Sequence, residues 1–228
     1  MRKKLFLNAN KLLLFLFSLC LFAQENKFEI LGRSEPKKQV FTSENIKEII
    51  SNHKLVAILP FKVSFTNKTN LNNTSLEEIK KTEDILSKNL QSSLNNYLLS
   101  KKSNYSVSFL EVDKINLLLK NNKMFDNIED YSKEEIAKVL KVDGVISGEF
   151  YKEKLQSNLS AIASILITKD SSFSKTGNGK IILSIHDSSK GELLWQFSKL
   201  MEEDFLSSND RLIDRMMRKV SRNFPYKK

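Results

Sequence analysis

Two histidines, one cysteine and a few clustered acids are the side chains of this 228-residue sequence that could do chemistry, and their spacing assembles no catalytic set. His186 and Asp187 are neighbours on a stretch that alternates as a strand. Their side chains therefore point to opposite faces and cannot act as a base and its orienting carboxylate. His53 stands alone in the sequence, and a structural role is the expected one. Two separated histidines do not make a ligand-spaced zinc motif. Glu202-Glu203-Asp204 supply too few oxygens for calcium, which takes roughly six to eight, and read as a solvated edge. The pairs Glu77-Glu78 and Glu134-Glu135 fall in first helical turns, where they complement the macrodipole. Gly144 and Gly148 lie before and within a strand, not between strand and helix, so they form no phosphate cradle. The expectation is a protein that is not an enzyme and carries no cofactor or metal.

The sharpest surface feature is a row of arginines near the end of the chain. Arg211, Arg215, Arg218 and Arg222 are spaced four, three and four residues apart. On a helix they fall in a stripe about 60° wide. Leu212, Ile213, Met216, Met217 and Val220 take the opposite face, with Asp210 and Asp214 partly offsetting the charge. The plain reading is a core-packed helix with a solvated basic face. The functional reading is a stripe that docks on an acidic protein partner, with anionic lipid or glycan as further candidates.

The address of the chain is written at its start. Arg2, Lys3, Lys4 and Lys11 precede an apolar run from Leu12 to Phe22 that ends in Ala23. A basic head, a short apolar core and a small terminal residue make a secretory signal peptide, with cleavage expected after Ala23. The run is short for a membrane helix, which needs roughly 20 apolar residues. Cys20 sits between Leu19 and Leu21, without the small residue a lipoprotein signal places before its cysteine, so lipidation there is not expected. Loss of residues 1–23 removes four basic and no acidic residues, which lowers the formal net charge from +10 to +6. A moderate, dispersed positive charge favours anionic neighbours in the envelope. It excludes nucleic acid as a partner, because no basic–aromatic stripe or nucleic-acid motif accompanies it. The sequons at Asn67, Asn72 and Asn158 are accidental matches in an asparagine-rich chain.

The elements that must carry these residues follow from periodicity. Residues 24–41 read as a tether, and Ile46, Ile49 and Ile50 mark a short helix before a domain over 55–228. Leu55–Val63 is a near-continuous apolar run suited to a buried strand that ends or bulges at Pro60. Ser75 and Glu78 make a capping box for a long helix carrying Leu76, Ile79, Leu86, Leu90, Leu94 and Tyr97 and ending near Ser100. Tyr105–Val112 alternates as a strand, and Asp113 caps a short helix with Ile115, Leu118 and Leu119. Ser132 and Glu135 cap the next helix, which stops before Asp143-Gly144. Strands then follow at 144–152, 159–169, 180–187 and 192–201, joined by Gly177-Asn178-Gly179 and Ser188-Ser189-Lys190-Gly191 turns. A helix over Asn209–Arg222 is stopped by Pro225. The pattern predicts a single α+β domain: a mixed sheet of five to six strands, with a βαβ start, an antiparallel meander and a closing helix.

Three segments carry a family resemblance: Val56-Ala57-Ile58-Leu59-Pro60-Phe61, Leu140–Glu149 around Asp143-Gly144 and Gly148, and Asp187–Trp195 around Gly191. Together they resemble the superfamily that contains the TolB N-terminal domain, the curli secretion lipoprotein CsgG and the LpoB-type activators of penicillin-binding proteins. The resemblance implies an α/β envelope domain that acts by binding other proteins, at the periplasmic side or in association with the outer membrane. It also implies structural roles for Pro60, Asp143, Gly144, Gly148, Gly191 and Trp195, with Trp195 filling the sheet–helix core. The leading expectation is a non-catalytic exported adaptor or activation factor that presents an edge strand or the arginine stripe. The alternative is an oligomeric outer-membrane channel component of the CsgG type. Its barrel strands would need about 9–11 residues each, and the hairpin from Phe150 to Leu166, with Lys152, Glu153 and Lys154 in it, is short for that purpose.

Overall fold

The computed structural model describes residues 38–65, 76–152, 179–201, 209–220 and 223–228, all within a unit spanning Lys37–Lys228. The leader, Cys20, Ser75 of the first capping box, the 159–169 strand, the Gly177-Asn178 turn, the Glu202–Asp204 cluster, Arg222 and the three sequons lie outside them.

Chain order is β1 (Lys38–Thr42), α1 (Ile46–Ser51), β2 (Leu55–Ile58), β3 (Lys62–Phe65), α2 (Leu76–Ser100), β4 (Ser108–Phe109), α3 (Val112–Asn121), α4 (Lys133–Leu140), β5 (Gly144–Lys152), β6 (Gly179–Asp187), β7 (Leu193–Met201) and α5 (Asn209–Val220). The seven described strands form one mixed sheet in the order β1-β7-β6-β5-β2-β4, with β3 also pairing with β5. β2 runs parallel to β4 and β5, whereas β5, β6, β7 and β1 are successively antiparallel. The α+β fold class, the βαβ start, the meander and the closing helix are therefore as the pattern predicts.

The apolar run 55–63 is divided. Its pairing to β5 passes from Ile58↔Ile146 to Lys62↔Glu149, so one extra residue is accommodated around Pro60. Proline has no N–H to give a ladder, and the run splits into two strands there. The carbonyl of Ile58 is taken up by the fully buried Gln91 of α2, whose Nε2 donates to it at 2.8 Å. Gln91 and Asn116 of α3 in turn exchange amide hydrogen bonds at 3.1 Å.

Side-chain alternation on the strands feeds two cores. Val56, Ile58, Ile146, Phe150, Leu183 and Phe197 meet α2 and α5 on one face. Ala57, Leu59 and Val145 meet Ile115 and Leu119 of α3 and Ile136 and Leu140 of α4 on the other. Leu86, Leu90, Leu94 and Leu98 of α2 are fully buried, each stabilising by about 1.5–3 kcal/mol relative to exposure. The Ser132–Glu135 capping box forms with both of its hydrogen bonds. Lys141 then closes α4 in the left-handed region (φ 54°), which turns the chain into Asp143-Gly144.

Three expectations are corrected. Residues 38–42, read as tether, form an edge strand paired in full with β7, so the sheet begins before residue 55. Only Ser108–Phe109 of the expected 105–112 strand pairs as a strand, because Val112 already begins α3. The residue preceding α3 is Glu111, and Asp113 lies in the first turn.

Candidate functional site

Asp143, Gly144, Asp187 and Gly191 of the family-like segments lie at the end of the sheet where β5 begins and β6 ends, whereas Phe61 and Gly148 meet midway along β5. Asp143 turns its carboxylate back on β2, accepting from the N–H groups of Lys54 at 2.8 Å and Leu55 at 2.9 Å. Burial pushes this carboxyl up. The hydrogen bonds from Leu55 and Lys54, with the Lys54 charge, outweigh that and hold it below its ordinary value. Gly148 leaves the space that Phe61 fills: a Cβ there would stand 2.3 Å from the Phe61 ring. Gly191 takes a positive φ of 67° and lies against the backbone of Glu134, which glycine alone adopts without strain. Trp195 is buried, stacked on Phe197 and edge-on to Phe224. Pro60 marks the division between β2 and β3.

His53 is held in this end of the molecule between partners far away in sequence. Its Nδ1 lies 2.8 Å from the Tyr226 hydroxyl and its Nε2 3.0 Å from Asp187 Oδ1. A carboxylate only accepts, so in the neutral ring Nε2–H donates to Asp187 and Nδ1 accepts from Tyr226. Asp187 also accepts from the Ser189 hydroxyl and backbone N–H. Burial pushes the Asp187 carboxyl up, and the Ser189 and His53 hydrogen bonds outweigh it, so it too sits below its ordinary value. Burial pushes the Tyr226 phenol up. Gly144 makes the arrangement possible, since a Cβ there would lie 2.8 Å from the Tyr226 hydroxyl and 2.9 Å from His53 Nδ1. A shallow cleft of about 400 Å³ opens beside it, lined by His53, Asp143, Asp187, Ser189, Lys190 and Glu192 among others. Both ring nitrogens are engaged and Tyr226 is fully buried, so the trio braces the fold beside the cleft. His186, on the opposite face from Asp187 as its strand position requires, lies near the Gly191 carbonyl at 3.2 Å.

Arg211, Arg215 and Arg218 of the row lie on α5. Leu212, Ile213, Met216, Met217 and Val220 are buried in the first core, which locks the helix and fixes its outer face. Arg211, Arg215 and Arg218 are exposed there. Arg218 pairs with Asp214 at 2.7 Å, and Asp210 accepts from Ser93 of α2 at 2.6 Å. The helix thus holds its acids on its flank and presents guanidinium groups outward. These are planar forks that match carboxylates two bonds at a time.

Sequence reasoning missed the second exposed surface, the outer edge of β1, which no strand pairs with among the described residues. All five of its residues are exposed, Val40 at 41% and Phe41 at 48%. A short run of β-formers, Val40-Phe41-Thr42, was its one signal. Among the described residues no group of three metal-ligating side chains is arranged to hold an ion, and no helix is long and apolar enough to cross a membrane.

No family profile matches the chain, and no curated protein matches it in sequence. Remote solved structures resemble it. The Neisseria meningitidis lipoprotein GNA1162 is 12% identical over 75% of this chain and 97% of that one, with a TM-score of 0.46. The PelC dodecamer from Paraburkholderia phytofirmans is 11% identical over 79% and 93%, with a TM-score of 0.40. The LpoB C-terminal domain from Salmonella enterica is 8% identical over 69% and 92%, with a TM-score of 0.38. Similarity at these levels fixes neither family nor function.

Proposed function

We propose that this chain is an exported, non-catalytic protein of the bacterial envelope that works by holding an acidic protein partner on the basic face of α5. The observation that carries the reading is the exposed row Arg211, Arg215 and Arg218 on a helix whose other face is locked in the core. The signal-like start of the sequence supports export. The family-like segments support a binding role, since their residues are used in bracing the sheet end.

The test is in-cell crosslinking of the tagged full-length chain, followed by identification of what is captured, in parallel with a variant carrying alanine at Arg211, Arg215, Arg218 and Arg222. A defined envelope protein captured by the parent and lost, by tenfold or more, from the variant is the expected result. Equal capture by both removes the arginine row from the mechanism. Capture of copies of itself alone, in the outer-membrane fraction, replaces the adaptor reading with an oligomeric assembly.

A further inference from the structure

The exposed edge of β1 carries an inference independent of the α5 reading. Its outward-facing groups can be named from the ladder. Ser43 N–H donates to Leu194 C=O at 2.8 Å, and the register runs Thr42↔Trp195, Phe41↔Gln196, Val40↔Phe197, Gln39↔Ser198 and Lys38↔Lys199. Antiparallel pairs alternate between those that exchange hydrogen bonds and those that do not. Ser43, Phe41 and Gln39 therefore bond to β7, whereas Lys38, Val40 and Thr42 turn their N–H and C=O groups the other way. Among the described residues nothing pairs with that edge. Three donors and three acceptors in a row, flanked by exposed Val40 and Phe41, form a template for another strand.

We propose that the strand it receives is the same edge of a second copy, antiparallel, about a two-fold axis through Val40. A two-fold interface joins a patch to itself, so the patch must be self-complementary, and β1 is. Antiparallel hydrogen bonding must join outward residues to outward residues, which allows only registers that differ by two. The register centred on Val40 pairs Lys38 with Thr42, Gln39 with Phe41 and Val40 with its own copy. It uses all five residues and makes six backbone hydrogen bonds. A slip of two in either direction leaves only three residues paired. Lys38 is the strand's one charged residue. The centred register sets the two Lys38 side chains four residues apart, about 13 Å, so no like charges face each other. Val40 packs on Val40 on one face of the joined sheet, and Phe41 covers Gln39 on the other. The occupant asked for is thus a strand of the same length and alternation whose single charge falls opposite a neutral residue, as a second copy of β1 provides.

The test uses the full-length chain with Cys20→Ser, so that each introduced cysteine is alone. Across a hydrogen-bonded antiparallel pair the Cα atoms lie about 5.5 Å apart, inside the range a disulfide spans. Val40→Cys should crosslink to a covalent dimer under mild oxidation, and the double variant Lys38→Cys, Thr42→Cys should do the same. Lys38→Cys alone should give at least tenfold less. In sedimentation velocity the Cys20→Ser chain should run as a dimer and Val40→Pro as a monomer, because proline there removes an outward N–H without touching a bond to β7. Val40→Asp, which sets two carboxylates on the axis, should also be monomeric and serves if the proline variant does not fold. A monomeric parent, equal crosslinking at positions 38 and 40, or crosslinking of Val40→Cys to a different protein would each overturn the proposal. None of these outcomes bears on capture by α5.

Discussion

Replacing Gly144 by alanine and Tyr226 by phenylalanine, singly and together, tests whether the sheet end is held as described. Tyr226→Phe leaves His53 Nδ1 without its partner at a site only 6% exposed. An unpaired buried polar group costs about 1–3 kcal/mol. Gly144→Ala puts a methyl group 2.8 Å from the Tyr226 hydroxyl, 2.9 Å from His53 Nδ1 and 3.0 Å from Cε1. One ring must move, so an overpacking cost of about 1–3 kcal/mol is joined by the loss of the same hydrogen bond, about 1 kcal/mol. In the double variant the hydroxyl is gone and its bond is already lost, leaving only the His53 contact for the methyl to meet. The double variant should therefore be more stable than the sum of the singles predicts, by about 1–2 kcal/mol, the scale of coupling between touching residues. The assay is urea or thermal unfolding read by the fluorescence of Trp195, the only tryptophan, which is buried against Phe224 two residues from Tyr226. Each kcal/mol should move Tm by about 2–4 °C in a chain of this size. Single costs that add to within about 0.5 kcal/mol would refute the claim that Gly144 exists to make room for the His53–Tyr226 contact.

Two further outcomes follow from neighbouring contacts. Gly148→Ala should cost about 1–3 kcal/mol, because its Cβ would press on the Phe61 ring at 2.3–2.5 Å. Phe61→Leu should recover part of that loss in the double variant, read by the same unfolding curves. Asp143 and Asp187 have carboxyls held below their ordinary value near 3.8, so their contribution is fully present above that value and is lost as pH falls through the lower folded-state values. Acid unfolding at constant ionic strength should therefore steepen below pH 3.8, and Asp143→Asn should flatten it. An unchanged acid limb in that variant would deny Asp143 its part.

Much of the fold was legible because its signals are local. The Ser132–Glu135 box, the 3.6-residue spacing of Leu86, Leu90 and Leu94, and the alternation of β5 to β7 are each set within a few residues, and each formed as the pattern predicts. The break at Pro60 was legible for the same reason. What was hidden depends on distance. His53 meets Tyr226 across 173 positions and Asp187 across 134, and no pattern along the chain joins them. Asp187 could be excluded as the partner of His186 from strand geometry, but its true partner required the fold. β1 was hidden for a different reason. Its five residues are all exposed and so show no buried-face alternation, and only pairing with β7 makes them a strand. The arginine row was legible in spacing and in face, since both are properties of one helix.

The motif residues and the two proposed association surfaces occupy different parts of the molecule. Asp143 ties β5 to the start of β2, Gly148 seats Phe61, Gly144 admits the His53–Tyr226 contact and Gly191 turns against Glu134. Each joins two segments distant in sequence, so losing one loosens the junction it makes. Among the described residues Arg218 pairs with Asp214 of its own helix, and no strand pairs with the outward groups of β1. Exposed positions of that kind usually change stability by no more than about 0.5 kcal/mol when substituted. Folding and the proposed binding can therefore be varied separately: substitutions at the bracing residues act on stability, whereas substitutions on the outer face of α5 or the outer edge of β1 leave it nearly unchanged. Bracing residues of this kind define a scaffold and carry no function of their own, so the proposed partners are sought through the α5 face and the β1 edge.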